Sequence, residues 1–242
     1  RMTLPTQRQA LRAAAFIGWV ALAGPAAALD ALVEKQSFTL TNFATQGGAV
    51  IPEMTRGYET YGTLNAEGSN AILVLPGLTG DQYLAERQPV TGKGGWWETL
   101  VGPGKPIDTD RYFVVAANVL GGCRGTTGPS STAPDGRPWG SRFPQVSIRD
   151  QVRLEAALAD HLGVPSWRLV LGGSMGGMRA LEWLGSYPDR CEAVLAIATT
   201  ACATADQIAW GQAQTLAIEQ DPDWRGGDYH RSGVSPDQGL GL

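Results

Sequence analysis

The run Leu169-Val170-Leu171-Gly172-Gly173-Ser174-Met175-Gly176-Gly177-Met178 decides how this chain is read. An apolar, strand-like stretch ends in a Gly-x-Ser-x-Gly turn, and a helical pattern begins directly after it. A serine at such a strand-to-helix turn is forced into strained backbone geometry that only small neighbours permit, and Gly172 and Gly176 leave the room. The turn lifts the Ser174 hydroxyl out of the sheet. It also sets the backbone N–H of Met175 at a helix N-terminus, where it can bind a developing oxyanion. Ser174 is therefore the candidate nucleophile, and acyl transfer is the chemistry. In a chain with 32 glycines the five-residue pattern alone arises readily by chance, so the weight rests on the flanking strand and helix.

A hydroxyl is a poor nucleophile until a base takes its proton, and in this architecture the chain order is Ser, then acid, then His. The two histidines are His161, which precedes Ser174, and His230, near the carboxyl end. His161 falls in the last turn of the helical pattern 150–162, where a cationic side chain suits the helix dipole. His230 lies in Asp228-Tyr229-His230-Arg231-Ser232-Gly233, a polar loop with no strand before it to aim an imidazole. Neither is expected to serve as the base. The chain therefore carries a nucleophile and part of an oxyanion hole without an evident base, and it is read as incomplete.

The 242 residues are 43% hydrophobic and 17% charged, which suits one globular catalytic core. A net charge of -4 and the lack of a Lys/Arg cluster exclude nucleic acid as a partner. Cys123, Cys191 and Cys202 are odd in number and lack metal-ligand spacing, so no disulfide framework and no metal site are expected, and the thiols are read as free and mostly buried. At the amino end Arg1, Arg8 and Arg12 lead into the apolar stretch 13–23, followed by Gly24-Pro25 and Ala26-Ala27-Ala28. This is too short to span a bilayer and has the form of a secretory signal peptide cleaved after Ala28. Arg1 standing before Met2 keeps a mis-set start as the alternative. The expected domains are a signal-peptide-like segment, 1–28, and a partial catalytic domain, 29–242, exported to the periplasm or, on the alternative, cytoplasmic.

Residues 37–40 and 54–61 read as short strands, and the continuous apolar runs 71–75 and 112–117 as buried ones. Asp150 is placed as the cap of a helix in which Leu154, Leu158 and Leu162 recur every four residues and Gly163 and Pro165 stop the pattern. The strand 167–171 then leads to the turn. In the helix after it, Ala180, Leu181 and Leu184 are assigned to the apolar side and Arg179 and Glu182 to the polar side. The run 193–197 is expected to be one more buried strand. Such alternation predicts an α/β fold, a mostly parallel sheet with helices on both faces. Ligands in such sheets bind beyond the carboxyl ends of the strands, which brings the loop 76–81 to the same edge as Ser174. Its backbone, opened by Gly77 and Gly80, can supply the second oxyanion N–H, with Leu78 as the chosen donor.

Several further segments carry a family resemblance. Gly57-Tyr58-Glu59-Thr60-Tyr61-Gly62-Thr63-Leu64-Asn65, Gly102-Pro103-Gly104-Lys105, Ile107-Asp108-Thr109-Asp110-Arg111-Tyr112, Asn118-Val119-Leu120-Gly121-Gly122-Cys123, Thr127-Gly128-Pro129-Ser130-Ser131 and Ser147-Ile148-Arg149-Asp150 precede the turn in that order. With the stretch 172–183, this series resembles the homoserine O-acetyltransferase family of α/β-hydrolase-fold enzymes over residues 57–242. One departure is Pro76-Gly77, where that family usually carries His-Ala.

The resemblance implies that an acyl group passes from acetyl-CoA, a co-substrate rather than a bound cofactor, to the hydroxyl of L-homoserine through an acyl-serine at Ser174, in methionine biosynthesis. It puts the oxyanion amides at Met175 and Leu78. It implies an acid and a histidine farther downstream, beyond a helical lid, and a carboxylate-binding arginine just after a segment similar to Gly239-Leu240-Gly241-Leu242. The expected partners are small-molecule substrates, with a homodimer left open. An exported serine esterase of the same fold is the alternative, because both reactions pass through acyl-Ser174 and differ in whether water or an amino-acid hydroxyl resolves it.

Overall fold

The computed structural model describes residues 36–87, 92–229 and 233–241, so the signal-like segment 1–28 and His230 lie outside the described residues. In chain order the elements are β1 (Gln36–Ala44), β2 (Val50–Tyr61), β3 (Ala71–Leu75), β4 (Val101–Gly102), β5 (Ile107–Asp108), β6 (Phe113–Ala117), α1 (Ile148–Leu162), β7 (Leu169–Gly173), α2 (Met175–Ser186), β8 (Val194–Ile197), α3 (Ala205–Glu219) and α4 (Asp237–Leu240). One six-stranded sheet has the order β1-β2-β6-β3-β7-β8, and β4 and β5 form a separate parallel pair. Strands β6, β3, β7 and β8 are mutually parallel, while β1 and β2 form an antiparallel hairpin that joins the sheet antiparallel to β6. The α/β class with a mostly parallel sheet is the one expected.

The period-2 alternation of strand side chains splits the core into two layers. Ala71, Leu73 and Leu75 of β3 face the layer that also holds Leu154 and Leu158 of α1 and Ala180 and Trp183 of α2. Ile72 and Val74 face the other layer, which Leu84, Ala85, Trp96, Trp97 and Val101 cover from the irregular segment between β3 and β5. Both α1 and α2 therefore serve one face as crossovers between parallel strands. Trp167 and Trp183 meet edge to face at 6.3 Å in the first layer.

Several local expectations need correction. The first two strands run beyond 37–40 and 54–61 because the turn after Ala44, closed by Thr45 N–H donating to the Ala49 carbonyl at 2.7 Å and by Gly48 at φ 86, lets pairing continue from Ala44 with Val50. Asp150 is not the cap of α1. Ser147 caps it, accepting from the Asp150 N–H at 3.1 Å, and the Asp150 carboxylate reaches back to the Ser147 N–H at 2.9 Å in a capping box. Trp167 forms only an isolated bridge with Cys191 ahead of β7. On α2, Arg179 is buried and Leu184 is 52% exposed, the reverse of the assigned sides. Strand β8 is half exposed along its length, because it is the last strand of the sheet among the described residues. Of the thiols only Cys191 is buried, since Cys123 and Cys202 sit in loops after β6 and β8.

Asp150 also accepts the Gln46 N–H at 2.7 Å, tying the β1–β2 turn to the start of α1. Asp150→Ala removes the carboxylate contacts to Ser147, Gln46 and Arg153, and its expected effect is a loss of about 2 kcal/mol in the urea unfolding free energy. An unchanged urea midpoint would show that the Asp150 carboxylate contacts to Ser147 and Gln46 do not matter.

Candidate active site

Ser174 joins β7 to α2 at φ 55 and ψ -123, a left-handed conformation for a residue with a side chain, and it is exposed. Its surroundings hold it there. The Ser174 N–H donates to the Ile197 carbonyl at 3.0 Å, and its own carbonyl accepts from Thr199 Oγ1 at 2.8 Å and from the Met178 N–H at 3.1 Å. The flanking glycines have a measurable reason. A Cβ on Gly172 would stand 2.5 Å from the Gly176 carbonyl carbon and 2.8 Å from the Leu75 oxygen, and one on Gly176 would overlap that same Leu75 oxygen. The end of β3, the end of β7 and the start of α2 thus touch backbone to backbone.

That contact brings the loop after β3 beside the serine. A Cβ on Gly77 would lie 4.0 Å from Ser174 Cβ, and the Gly80 N–H closes a turn onto the Gly77 carbonyl at 3.1 Å. Leu78 and Met175 both line a cavity of about 490 Å³, with Val119, Leu120, Gly121 and Gly122 among its other walls. Leu78 is 72% exposed. Met175 is the first residue of α2, so its N–H has no acceptor within the helix and remains available to a ligand. An exposed hydroxyl beside such donors can add to a carbonyl carbon and leave the resulting oxyanion hydrogen-bonded. The three residues singled out from sequence, Ser174, Leu78 and Met175, are thus brought together.

The far wall of the cavity is fixed from α1 and β2. Gln151 clasps Leu120, accepting its N–H at 2.9 Å and donating to its carbonyl at 3.3 Å. Asn118 N–H donates to the Gly57 carbonyl at 2.9 Å, and the Gly57 N–H donates to Thr126 Oγ1 at 3.0 Å. The sequence segments around Gly57, Asn118, Thr127 and Ser147 are therefore the parts that shape this wall. Arg124, at φ 63, pairs with Asp81 at the end of the loop after β3.

A fully buried ionic group below the site escaped the sequence reading. Glu155 Oε1 accepts from Arg56 at 3.2 Å and from Arg179 at 2.9 Å, and Glu155 Oε2 accepts from Trp183 Nε1 at 2.7 Å. Arg179 also donates to the Pro76 carbonyl at 2.5 Å. Burial lowers the Arg56 pKa to about 10, and it lowers Arg179 as well, with Glu155 opposing both shifts. An arginine guanidinium keeps its proton at neutral pH even inside a protein. A signal was present: Arg56 shares its strand face with Met54 and Tyr58, both buried, and Arg179 lies one helical turn before Trp183.

His161 is exposed in the last turn of α1 and stacks on Phe38 with ring centroids 4.8 Å apart. That turn leads into the amino end of β7, whereas Ser174 follows its carboxyl end, so His161 is at the wrong edge of the sheet to act as base. Among the described residues no group of three or more His, Cys, Asp and Glu side chains is placed to hold a metal ion.

Residues 70–237 match the family model described as alpha/beta hydrolase fold. The chain is 56% identical over 197 residues to a homoserine O-acetyltransferase of Thermobifida fusca strain YX, covering 81% of this chain and 52% of the relative. It thus spans about half the length of the curated relatives it matches. Among solved structures, the homoserine O-acetyltransferase from Bacillus anthracis superposes with a TM-score of 0.81 at 33% identity, over 87% of this chain and 58% of that one. Esterase E22 superposes with a TM-score of 0.80 at 35% identity, over 86% of this chain and 59% of that one.

Proposed function

The chain belongs to the α/β-hydrolase fold family, and on that premise we propose that it carries the nucleophile of an acyltransferase that moves an acetyl group from acetyl-CoA to the hydroxyl of L-homoserine. The observation that carries this reading is Ser174 at φ 55, exposed, with Gly77 beside its Cβ and the neighbouring Met175 and Leu78 lining one cavity. Identity of 50–56% to relatives named homoserine O-acetyltransferase supports the acceptor and the acyl group.

In the proposed course, Ser174 Oγ adds to the thioester carbonyl and its proton passes to a base. The N–H groups of Met175 and Leu78 hold the oxyanion in this tetrahedral state. Collapse breaks the C–S bond, and CoA leaves as its thiol after taking that proton. The homoserine hydroxyl then adds to acyl-Ser174, gives its proton to the same base, and the ester departs as the Ser174 oxygen is reprotonated. The resemblance implies a downstream histidine as the base, with a carboxylate to orient it. Because the acceptor is bound in attack geometry and water is not, the acyl-serine should be resolved much faster by homoserine than by water.

The likeness to esterase E22 supports a second reading, in which water resolves the acyl-serine. The two separate in one assay. With the full-length protein and acetyl-CoA, homoserine is expected to raise the rate of CoA release roughly 100-fold or more over water alone. Hydrolysis of small aryl esters at a rate indifferent to homoserine, with no CoA release, would replace transfer by hydrolysis.

A further inference from the structure

The two amides proposed to hold the oxyanion come from different segments, and one side chain joins those segments. Arg179 sits on α2 one turn after Met175, and its Nη2 donates at 2.5 Å to the carbonyl of Pro76, two residues before Leu78. A peptide unit is planar, so anchoring the Pro76 oxygen fixes the plane of the Pro76–Gly77 link from which the loop departs. Gly77 has no side chain to restrain it, and a Cβ there would meet nothing closer than 3.9 Å. The root of the loop packs on Gly176 by backbone, and the polar contact from Arg179 to Pro76 adds a directional hold that no side chain at Gly77 supplies.

The composition of the buried group bears on what Arg179 is for. Arg56, Glu155 and Arg179 are each fully buried, and they carry two positive charges against one negative. Arg56 alone would neutralise Glu155. A second buried guanidinium adds a large desolvation penalty, which a role limited to pairing the carboxylate does not require. What Arg179 supplies and Arg56 does not is the hydrogen bond to Pro76. Trp183, donating to the other oxygen of Glu155 from the next turn of α2, fixes the carboxylate that in turn aims Arg179.

We propose that Arg179, aimed by Glu155, is a positioning residue that holds the Pro76–Leu78 loop in register with the start of α2, so that both amides point at the same oxygen. This rests on the reading of Ser174 as the acylated residue. Arg179 does not touch the substrate. It acts on the acylation rate constant through the geometry of the loop.

The test uses the full-length protein, p-nitrophenyl acetate and three variants, Arg179→Met, Arg56→Met and Arg179→Lys. Each Met variant leaves one cation facing Glu155, so the two are matched for charge, but only Arg179→Met releases Pro76. Acylation is read as the pre-steady-state burst, whose amplitude counts competent sites and whose rate constant reports the transition state. Arg179→Met is expected to lower the rate constant by roughly 30- to 100-fold at unchanged amplitude, since a misplaced donor costs that much in comparable sites. Arg56→Met is expected to stay within about threefold of the wild type, and Arg179→Lys, which keeps one donor, to recover most of the loss. Should Arg179→Met fail to fold, Arg179→Lys against Arg56→Met carries the comparison, with the lysine variant expected to be slower by about three- to tenfold at full amplitude. Equal effects of the two Met variants, or a loss of amplitude at an unchanged rate constant, would reduce Arg179 to a structural pin. Turnover of p-nitrophenyl acetate at the wild-type rate after Ser174→Ala would instead remove the acyl-serine reading on which the proposal stands.

Discussion

Ser174→Ala is expected to lower acyl transfer in the full-length protein by roughly 10⁴-fold or more, because removal of a serine nucleophile leaves only binding and the oxyanion donors to act on the substrate. The fold should be unaffected. Alanine at φ 55 meets the same backbone strain as serine, and the contacts that hold the turn are made by the backbone of Ser174 to Ile197, Thr199 and Met178. Labelling by a serine-directed phosphonate should disappear in the variant while its thermal midpoint stays within a few degrees of the wild type. Labelling that persists in the alanine variant would take Ser174 out of the mechanism.

Gly172→Ala should be nearly as damaging by a different route. Its new methyl group would lie 2.5 Å from the Gly176 carbonyl carbon, 2.6 Å from the Gly176 oxygen and 2.8 Å from the Leu75 oxygen. All three are backbone atoms. Relief therefore requires β3, β7 and the start of α2 to move apart, at an expected penalty of about 2–4 kcal/mol. The same displacement separates Ser174 and Met175 from the Leu78 loop, so the folded fraction should also lose roughly 100-fold in rate. Gly185, on the same helix, is the control, since a Cβ there meets nothing within 4 Å. Gly185→Ala should be neutral or stabilising by about 0.5–1 kcal/mol. Comparable losses for both alanine variants would mean that close packing of the turn is not what matters.

The parts of the fold that were legible are those in which local chemistry and tertiary packing agree. Strand β3 coincides with its apolar run because all five residues are buried, and the turn at Ser174 was readable because glycines are required on either side of it. Sequence reasoning went astray where a long-range partner decides. Arg179 looks like a polar-face residue until Glu155, 24 positions earlier, and the Pro76 carbonyl are placed against it. The run 193–197 reads as buried from its composition, yet Leu195 and Ile197 are 47% and 40% exposed because no further strand lies beside β8 in the described residues. Helix α3 was overlooked altogether, although its Thr204–Gln207 capping box was a local signal. Its Ile208 and Trp210, 62% and 66% exposed, do not form the apolar stripe on which periodicity relies. The base was not legible for another reason: His161 precedes Ser174 and packs on Phe38 at the other edge of the sheet, and His230 lies outside the described residues.

The central claim is that the acyl group rests on Ser174 between donor and acceptor. The full-length protein can be mixed with acetyl-CoA in the absence of homoserine, quenched in acid, digested and examined by mass spectrometry. The peptide that carries Ser174 is expected to gain one acetyl group, in amounts matching the CoA released in the first turnover, and to lose it when homoserine is added before the quench. CoA release with Ser174 unmodified, or an acetyl group that stays on Ser174 in the presence of homoserine, would contradict it.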